Sequence, residues 1–420
     1  MSDKYILGID IGTTSISFVV LDEKENIIEA FNKASPILTE EKTTDPNVIY
    51  SSVKCIIDEI IEKYCVKSIG FTGQMHGILF TDENLKALSP LYTWQFSPSG
   101  EYLNEIKAIT GENIYSGYGL ATYYYLKKKS TAPKNSFKIL TVMDFTANKL
   151  ADNRNIVMHS SNAASLGLYD IEKAEFKLNK VESLNLDVNL LPKVSAENKI
   201  IGYYKSIPVY IPIGDNQASV FAVYKENSIV LNYGTGSQVS LITDCFKEVK
   251  GIETRPFMGN KYMLCGAALS GGRAYSLLEK FFRSFLKAAN AETDDVYGIL
   301  NELALKAESK DLVVSAKFAG TRENPSEKGA VTNISEVNFT PENLTYGFLK
   351  GMAQELYDFY KLMGETREKV LVTGNAARKN PALIKAIEEV FNIKTEFKNI
   401  REEAAFGAAL FALKGENGEF

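Results

Sequence analysis

Cysteine and histidine are scarce in this sequence of 420 residues, and their spacing excludes several kinds of site. The four cysteines stand at positions 55, 65, 245 and 265 without a CxxC pair, so neither a zinc ribbon nor a disulfide framework is predicted. The two histidines, His76 and His159, belong to no HExxH motif, which excludes metalloprotease chemistry of that type. We therefore expect reduced thiols in the core of a cytoplasmic protein.

The sequence also lacks a basic stripe and a long apolar run. With 47 Lys and Arg against 52 Asp and Glu, the net charge is −5, so nucleic acid is not an expected partner. The start, MSDKYILGID, enters a strand directly, so no export signal is predicted, and no apolar run is long enough to span a bilayer. The composition, 45% hydrophobic and 24% charged, is that of an ordinary globular chain, and its length favours two domains.

One pattern occurs twice, 222 residues apart. Residues 7–22 read LGIDIGTTSISFVVLD and residues 228–244 read SIVLNYGTGSQVSLITD, each with two apolar strands around a turn of Gly, Thr and Ser. Such a turn exposes backbone N–H groups and hydroxyls together, which suits phosphate binding. One turn alone is more simply an ordinary hairpin, but the matched pair predicts a duplicated unit whose halves hold one polyphosphate.

Two aspartates are candidates for the chemistry. Asp215, in IPIGDNQAS, follows an apolar strand and opens a predicted helix, where the helix dipole keeps a carboxylate ionised and ready to accept a hydroxyl proton. A helix N-cap explains the same position, but its place just ahead of the second turn favours the base. Asp10 is the candidate Mg²⁺ ligand, because Mg²⁺ needs few carboxylates when it bridges phosphate oxygens; a structural Asp bonded to turn amides is the alternative.

Glycine turns elsewhere predict a nucleotide pocket. The junction Thr373-Gly374-Asn375 lies between a predicted strand and a predicted helix, and Gly374 lacks the bulk that would keep a flat adenine from the backbone. Gly271 and Gly272 open a long predicted helix and are expected in the same pocket, although a helix-starting turn explains them too.

Aromatic residues concentrate between positions 90 and 130, around the single tryptophan, Trp94. Either they pack in the core and a lid, or Trp94 forms a wall for a sugar ring, whose C–H faces stack on aromatic rings. Further along, TVMDFTANKL predicts a helix and SSNAAS a polar loop, whose side chains either face a cleft or cap a helix.

Together these stretches resemble the FGGY carbohydrate kinases, members of the sugar kinase, Hsp70 and actin superfamily, over essentially the whole chain. Sedoheptulokinase-like and xylulokinase-like members are the most similar. The resemblance implies an α/β fold of two ribonuclease-H-like domains around a central cleft, with residues 1–203 on the sugar side and 204–420 on the ATP side. The matching pieces are GIDIGTTSIS, GFTGQMHG, SPLYTWQ, SNAASLGLYD, GDNQAS, NYGTGSQ, LSGG, FAGTRENP, VTGNAARKNPAL and EEAAFGAAL.

The resemblance also implies an activity and roles for residues. The activity is ATP-dependent phosphorylation of a primary hydroxyl of a ketose-like sugar, with Asp215 accepting the hydroxyl proton and Asp10 near Mg²⁺, directly or through water. His76 is alternatively a core histidine bonded to a strand. The residues expected around ATP are Gly12, Thr13, Thr14, Gly234, Thr235, Gly236, Gly271, Gly272, Gly374 and Asn375. Those expected at the sugar are Gln74, Met75, His76, Trp94 and Asn216.

Three positions depart from the family pattern. Relatives usually follow the Trp-Gln or Trp-Asn pair with an acid and, two residues later, an arginine; here Phe96 and Pro98 stand there. Because Phe accepts no hydrogen bond, a polyol would lose an interaction worth about 1–3 kcal/mol. Ser17 likewise stands where a basic residue is common.

Two other functions stay open at this point. Phe96 and Pro98 favour a sugar- or nucleotide-binding protein that no longer transfers phosphate and acts as a sensor or scaffold. An Hsp70-like or actin-like ATPase shares the hairpins but does not predict GQMHG or TWQ. The expected partners are a small sugar and a second copy of the chain in a homodimer.

Overall fold

The computed structural model describes residues 4–309, 311–321, 324–398 and 400–419. Residues 322 and 323 of the FAGTRENP loop therefore lie outside the described residues. The chain forms two compact units. The first unit comprises Met1–Ala222, Arg255–Tyr262 and Ile400–Phe420, and the second comprises Val223–Thr254 and Met263–Asn399.

The first unit contains a large sheet with helices packed against it. Its strands are β1 (Tyr5–Ile11), β2 (Ser15–Asp22), β3 (Ile27–Ala34), β4 (Thr43–Thr44), β5 (Val66–Gly73), β6 (Leu79–Thr81), β7 (Leu91–Tyr92), β8 (Lys138–Leu140), β9 (Val157–His159), β10 (Tyr169–Asp170), β11 (Glu175–Phe176), β12 (Lys193–Ser195), β13 (Ile200–Tyr204), β14 (Ile207–Tyr210) and β15 (Ile213–Gly214). Its helices are α1 (Pro46–Lys63), α2 (Leu103–Thr110), α3 (Gly119–Lys128), α4 (Val142–Leu150), α5 (Ser160–Ser165), α6 (Leu178–Ser183), α7 (Asp215–Val223) and, near the end of the chain, α13 (Glu403–Glu416), with 3₁₀ turns at Ser97–Tyr102 and Val188–Leu190.

The large sheet has the strand order β13-β14-β5-β1-β2-β3, and β15 also pairs with β5. β1 is antiparallel to β2 and parallel to β5, and both β14 and β15 run parallel to β5. Because β14 and β15 belong to this sheet, the first unit continues to residue 222, whereas the sequence predicted a boundary near 203. A short apolar strand carries no mark of the sheet that it joins.

Small residues on α13 allow that helix to lie directly on the sheet. A Cβ atom at Gly8 would lie 2.0 Å from the carbonyl oxygen of Ala405, and one at Gly70 would lie 2.0 Å from that of Ala408. Backbone therefore touches backbone at both places. The other face of the sheet is covered by α1 and α4, whose apolar side chains, among them Ile56 and Phe145, are fully buried with the β1 and β5 residues.

The second unit repeats the combination of a hairpin, a parallel strand and packed helices. Its strands are β16 (Ser228–Tyr233), β17 (Ser237–Thr243), β19 (Tyr262–Ala268), β20 (Val313–Ser315), β21 (Ala330–Thr332), β22 (Lys369–Thr373) and β23 (Thr395–Phe397), while β18 (Glu253–Pro256) spans the point where the chain leaves the unit. Its helices are α8 (Gly271–Ala288), α9 (Val296–Leu305), α10 (Pro341–Leu362), α11 (Asn375–Arg378) and α12 (Pro381–Phe391). The sheet includes the strand order β19-β17-β16-β22-β23, and α10 contributes apolar side chains to the core beside it.

The two predicted hairpins are present, and their turns differ by one residue. In the first unit Ile11 pairs with Ile16, which leaves four residues in the turn, and in the second unit Tyr233 pairs with Ser237, which leaves three. Beyond the turn, Ser17 is opposite Asp10 and Gln238 is opposite Asn232. Corresponding residues of the two hairpins are therefore 222 positions apart on the first strand, and one position fewer apart on the second.

Two expectations about local structure were wrong. Residues 160–165, predicted as a polar loop, form helix α5, because His159 caps its start by accepting a hydrogen bond from the Ser161 amide. Three cysteines, at positions 55, 65 and 245, are exposed, and Cys265 alone of the four is buried, so most of the thiols do not belong to the core. Among the helices that the structure describes, none is long and apolar enough to cross a membrane.

Candidate active site

Three parallel strands of the first unit end side by side and bring Asp10, Gln74 and Asp215 to one edge of the sheet. Asp10 pairs with Thr72 across β1 and β5, and Thr72 pairs in turn with Ile213 of β15. The Thr72 hydroxyl donates to the Ile213 carbonyl at 2.7 Å, which fixes the start of the segment that leads into Asp215. Asp215 is the first residue of α7, as the sequence predicted.

Charge at this edge is predominantly negative. Burial, and to a smaller extent the nearby carboxylates of Asp215 and Glu402, together raise the pKa of Asp10 to about 8. Glu402 precedes α13 in a left-handed conformation, with φ of 53°, and accepts hydrogen bonds from Ser17 at 2.5 Å and from Asn32 at 2.9 Å. The position opposite Asp10, where Ser17 stands, therefore binds a third acid instead of supplying a positive charge.

The pKa of Asp215 is set by burial and by two neighbouring groups that oppose its effect. Burial raises its pKa to about 6, while the amide of Asn216, which donates at 2.7 Å, and the charge of Arg255 oppose that shift. Arg255 also donates from Nη1 to Oδ1 of Asn216 at 2.8 Å. A carboxylate with a pKa near 6 is mostly ionised at neutral pH and can still accept a proton, which is what a general base requires.

The surroundings of Asp10 fit a magnesium ion. Its Oδ1 atom is buried and has no hydrogen-bond partner among the residues that the structure describes. Within those same residues no three acids, histidines or cysteines group as a metal cage. Mg²⁺ suits such a place, because it typically binds through one or two carboxylates and completes its coordination with water and phosphate oxygens.

Trp94 is connected to the first hairpin turn. Its side chain is 47% exposed, so it is not a core residue, and Nε1 donates to Thr13 Oγ1 at 3.0 Å. Thr13 Oγ1 lies 3.4 Å from Oε1 of Gln74, which is buried. Trp94 and Gln74, both predicted to bind the sugar, thus contact the side chain of Thr13, which is predicted to bind phosphate.

His76 follows β5 with a left-handed backbone, φ 74°, and is held by Ser165. The His76 amide donates to Ser165 Oγ at 3.1 Å, and Nδ1 lies 2.8 Å from the Ser165 carbonyl oxygen. Because a carbonyl only accepts, the proton of the neutral ring is on Nδ1 and Nε2 is an acceptor. The ring stacks on Tyr118, with centroids 4.3 Å apart, and is partly exposed, so it is not a core histidine. Met75, its neighbour, is buried against Gly214, where a Cβ atom would lie 2.7 Å from its sulfur.

Phe96 belongs to an aromatic cluster. It is 3% exposed, and its ring meets those of Tyr92 and Tyr125 edge-on at 5.0 and 5.6 Å. Pro98 lies in the 3₁₀ turn that follows. The side chain of Phe96 thus packs among aromatic rings at the position where relatives usually have an acid that can accept a hydrogen bond.

The second unit brings together all of its predicted ATP residues. A Cβ atom at Gly271 would lie 2.3 Å from the carbonyl carbon of Gly236, so the start of α8 touches the hairpin turn. The Gly272 amide donates to the Gly234 carbonyl at 2.9 Å, and the Arg273 amide donates to the Thr235 carbonyl at 3.0 Å. These amides of α8 support the turn.

Gly374 lies beside the same turn. A Cβ atom there would be 2.4 Å from the Tyr233 carbonyl oxygen, and its φ of 95° favours glycine. It follows Thr373, which pairs with Asn232 as Thr72 pairs with Asp10 in the first unit. The segments Thr72-Gly73-Gln74 and Thr373-Gly374-Asn375 therefore occupy corresponding places after the parallel strand of each unit.

The predicted site residues thus form two groups. The first unit holds Asp10, Gly12, Thr13, Thr14, Gln74, Met75, His76, Trp94, Asp215 and Asn216, and the second holds Gly234, Thr235, Gly236, Gly271, Gly272, Gly374 and Asn375. Sequence reasoning missed Arg255 and Glu402. Arg255 is part of an RPF segment to which sequence reasoning assigned no role, and Glu402 directly precedes a helix of small residues that begins with a second acid.

Comparisons with known proteins show which family and which fold this chain matches. The model of the FGGY family of carbohydrate kinases, N-terminal domain, matches residues 5–222, and that of the C-terminal domain matches residues 229–415. A sedoheptulokinase of Mus musculus is 25% identical, over 97% of this chain and 97% of that protein. A xylulose kinase of Staphylococcus epidermidis is 24% identical, over 99% of this chain and 88% of that protein. The crystal structure of Plasmodium falciparum glycerol kinase with ADP has a TM-score of 0.83 at 20% identity and covers 100% of this chain and 90% of that one.

Both halves of the sequence therefore match one family, and the mixed α/β fold of two units matches that of a solved glycerol kinase. The chain belongs to the FGGY family of carbohydrate kinases, which are phosphotransferases.

Proposed function

We propose that the protein transfers the γ-phosphoryl group of ATP to a primary hydroxyl of a ketose-like sugar. The observation that carries the proposal is the placement of Asp215 beside Asp10 at the ends of parallel strands, in a chain of a kinase family. The sugar class follows the relatives named sedoheptulokinase and xylulose kinase.

In this mechanism Asp215 accepts the proton of the attacking hydroxyl. The hydroxyl oxygen forms a bond to the γ-phosphorus as the bond from that phosphorus to the ADP oxygen breaks, and ADP leaves with the electron pair. Asn216 and Arg255 keep the carboxylate ionised before the transfer, because both oppose the rise in its pKa. Asp215 thus contributes position and proton affinity, and the enzyme needs no covalent intermediate.

Asp10 would hold Mg²⁺ through its buried Oδ1 atom, directly or through water. When bound, the ion would neutralise charge on the phosphate oxygens. The residues of the first turn, Gly12, Thr13 and Thr14, would donate amides and hydroxyls to the phosphates.

The second unit would supply the other nucleotide contacts. Thr235 and the neighbouring glycines would contact the phosphates, and the backbone at Gly374 and Asn375 would contact adenosine, since glycine leaves room for a flat base. The Plasmodium falciparum glycerol kinase, which has the same fold, was solved with ADP, and this supports the proposal that the present chain uses a nucleotide.

The sugar would be bound by side chains of the first unit. Trp94 has the exposure that stacking on a sugar ring requires, His76 Nε2 is an acceptor for a hydroxyl hydrogen, and Gln74 and Asn216 carry amides. Phe96 does not compete for a hydroxyl, because its ring is buried among tyrosines. We infer that sugar recognition depends on the GQMHG and TWQ segments.

The test is sugar-dependent ADP release by the purified full chain on a panel of ketoses, heptuloses and polyols. We expect turnover on at least one ketose, and loss of at least about 1,000-fold in kcat for Asp215→Asn with ATP binding retained. Asp152→Asn is the matched control, because that side chain is 87% exposed and distant in sequence from every site segment. Full activity of Asp215→Asn would refute the base. ATP binding without turnover on any sugar would favour a binding protein, and sugar-independent ATP hydrolysis would favour an ATPase.

A further inference from the structure

Helix α5 connects the segment that leads to Asp215 with the segment that carries His76. It has only six residues, SSNAAS, and three of its polar side chains, those of Ser161, Asn162 and Ser165, make hydrogen bonds to these two segments. All three are buried, with at most 4% exposure. Solvent therefore does not replace these bonds if they are lost.

Ser161 and Asn162 hold the backbone just before the base. The Gly214 amide donates to Ser161 Oγ at 3.0 Å, and Asn162 Nδ2 donates to the Pro212 carbonyl at 3.0 Å. With the bond from Thr72 to the Ile213 carbonyl, three consecutive residues before Asp215 each have a side-chain partner. The direction of the Asp215 carboxylate is therefore fixed through its backbone.

The Ser161 hydroxyl is itself oriented. It lies 2.8 Å from His159 Nδ1, which also accepts from the Ser161 amide at 3.2 Å, so Nδ1 is an acceptor and the hydroxyl donates to it. The lone pairs of Ser161 Oγ then face the Gly214 amide. Burial lowers the pKa of His159 to about 4, so this arrangement persists at neutral pH.

Ser165, at the other end of the same helix, holds His76. Its hydroxyl donates to the Asn162 carbonyl at 2.7 Å and accepts from the His76 amide, and its carbonyl accepts from His76 Nδ1. The left-handed backbone of His76 is thereby secured, and the tautomer of its ring is set.

We infer that α5 is a positioning element with two separate tasks, in which Ser161 and Asn162 orient the base Asp215 and Ser165 orients the sugar-binding His76. The inference rests on the proposed function and adds that the two ends of one helix position two different site residues. None of these residues needs to touch the sugar or ATP.

The two tasks predict different kinetic effects. Loss of the Ser161 hydroxyl leaves the buried Gly214 amide unpaired, and the segment shifts to satisfy it, which misplaces the base relative to the attacking hydroxyl. Such a change lowers kcat more than it raises the KM for sugar. Loss of the Ser165 hydroxyl frees the His76 backbone, which weakens sugar binding and raises KM with less effect on kcat.

The helix supplies its own control in Ser160. Its hydroxyl is buried and has no hydrogen-bond partner among the described residues. We expect Ser160→Ala to behave like the wild type, Ser161→Ala to lose about 10- to 100-fold in kcat with sugar KM within about twofold, and Ser165→Ala to raise sugar KM about 5- to 20-fold. Ser161→Thr, which restores a hydroxyl, should recover most of the lost kcat. Thermal unfolding of each variant reports whether the fold is intact.

Several outcomes would overturn the inference. If Ser161→Ala and Ser165→Ala match Ser160→Ala while Asp215→Asn is inactive, α5 positions nothing and the proposed function stands. If kcat falls, the KM for sugar rises and thermal stability falls together in all three alanine variants, the role of the helix is structural only. If Asp215→Asn is fully active, the base itself is wrong, and Ser161 has no base to position.

Discussion

Arg255 donates a hydrogen bond to Asn216, the residue that follows Asp215, at a distance of 2.8 Å. The arginine therefore acts on the candidate base in two ways, through its charge and through the residue whose amide caps the carboxylate. Burial has the largest effect on the pKa of Asp215 and raises it, and the charge of Arg255 lowers it, so Arg255 favours the ionised form of the candidate base.

The first prediction is a shift in the pH dependence of catalysis. Asp215 must be ionised to accept a proton, so kcat/KM for the sugar should rise with pH through an acid limb near pH 6. In Arg255→Met the positive charge is lost, the pKa of Asp215 rises, and the acid limb moves to higher pH. Arg255→Lys keeps the charge and should shift the limb less. An acid limb that stays in place in Arg255→Met would show that Asp215 is not the titrating group.

The second prediction concerns the indole N–H of Trp94. Trp94→Phe keeps an aromatic face but loses the donor to Thr13, so we expect the sugar KM to rise about 3- to 10-fold, the value of one hydrogen bond. Trp94→Ala, which also removes the ring, should raise it further. Tyr203→Phe is the control, because Tyr203 is 60% exposed on β13. A Trp94→Phe variant with wild-type KM for both sugar and ATP would contradict a role for this bond.

The sequence predicted the parts of the fold that depend on local patterns. Both hairpins, the helix after Asp45 and the helix that Asp215 opens follow from apolar spacing and from Asp, Pro and Gly at the ends of elements. It did not predict that β14 and β15 join the first sheet, because apolar segments of only four and two residues do not indicate which distant strand they pair with. Helix α5 was missed because Ser and Asn favour loops unless tertiary contacts, here those of Asn162 and Ser165, hold them in a helix.

The candidate site was predictable to the same extent. Asp10 and Asp215 belong to sequence motifs and were therefore candidates from the sequence alone, and the structure places them at one edge of a sheet. Arg255 and Glu402 were not, because each approaches the site from a segment far along the chain, and a single charged residue in such a segment has no signature before the chain folds.

The third prediction uses the contact between α8 and the second hairpin turn. In Gly271→Ala the new Cβ atom would lie 2.3 to 2.5 Å from backbone atoms of Gly236 and Ser237, so the turn must move. We expect the KM for ATP to rise at least about tenfold while sugar binding to the first unit, measured by calorimetry, is unchanged. Alanine ordinarily stabilises a helix relative to glycine by about 1 kcal/mol, so a loss here is diagnostic of the contact.

Gly100→Ala is the control for that experiment, because the nearest atoms to its Cβ would be 3.5 Å away, an ordinary contact distance. If Gly271→Ala binds ATP as the wild type does, the Gly234–Gly236 turn either tolerates displacement or does not contact the nucleotide. Circular dichroism and thermal unfolding separate these cases from global unfolding.

The last prediction concerns Asp144, a fully buried carboxyl in α4 whose Oδ1 atom has no partner among the described residues. Burial raises its pKa from 3.8 to about 7, against the opposing bonds from Thr141 and Asn162. The folded state therefore binds more protons than the unfolded state between about pH 4 and 7, and the contribution of Asp144 to stability falls as the pH rises through that window. Asp144→Asn removes this dependence. The free energy of unfolding of the variant minus that of the wild type, measured by urea titration, should therefore increase by ~1–4 kcal/mol between pH 4.5 and 8.

Asp58→Asn is the control for this experiment. Hydrogen bonds from Lys205, Lys54 and Tyr204 outweigh burial and lower the pKa of Asp58, so the difference in free energy of unfolding between this variant and the wild type should be constant over the same pH range. A constant difference for Asp144→Asn as well would mean that Asp144 is ionised throughout, with a counter-charge or water satisfying its second oxygen.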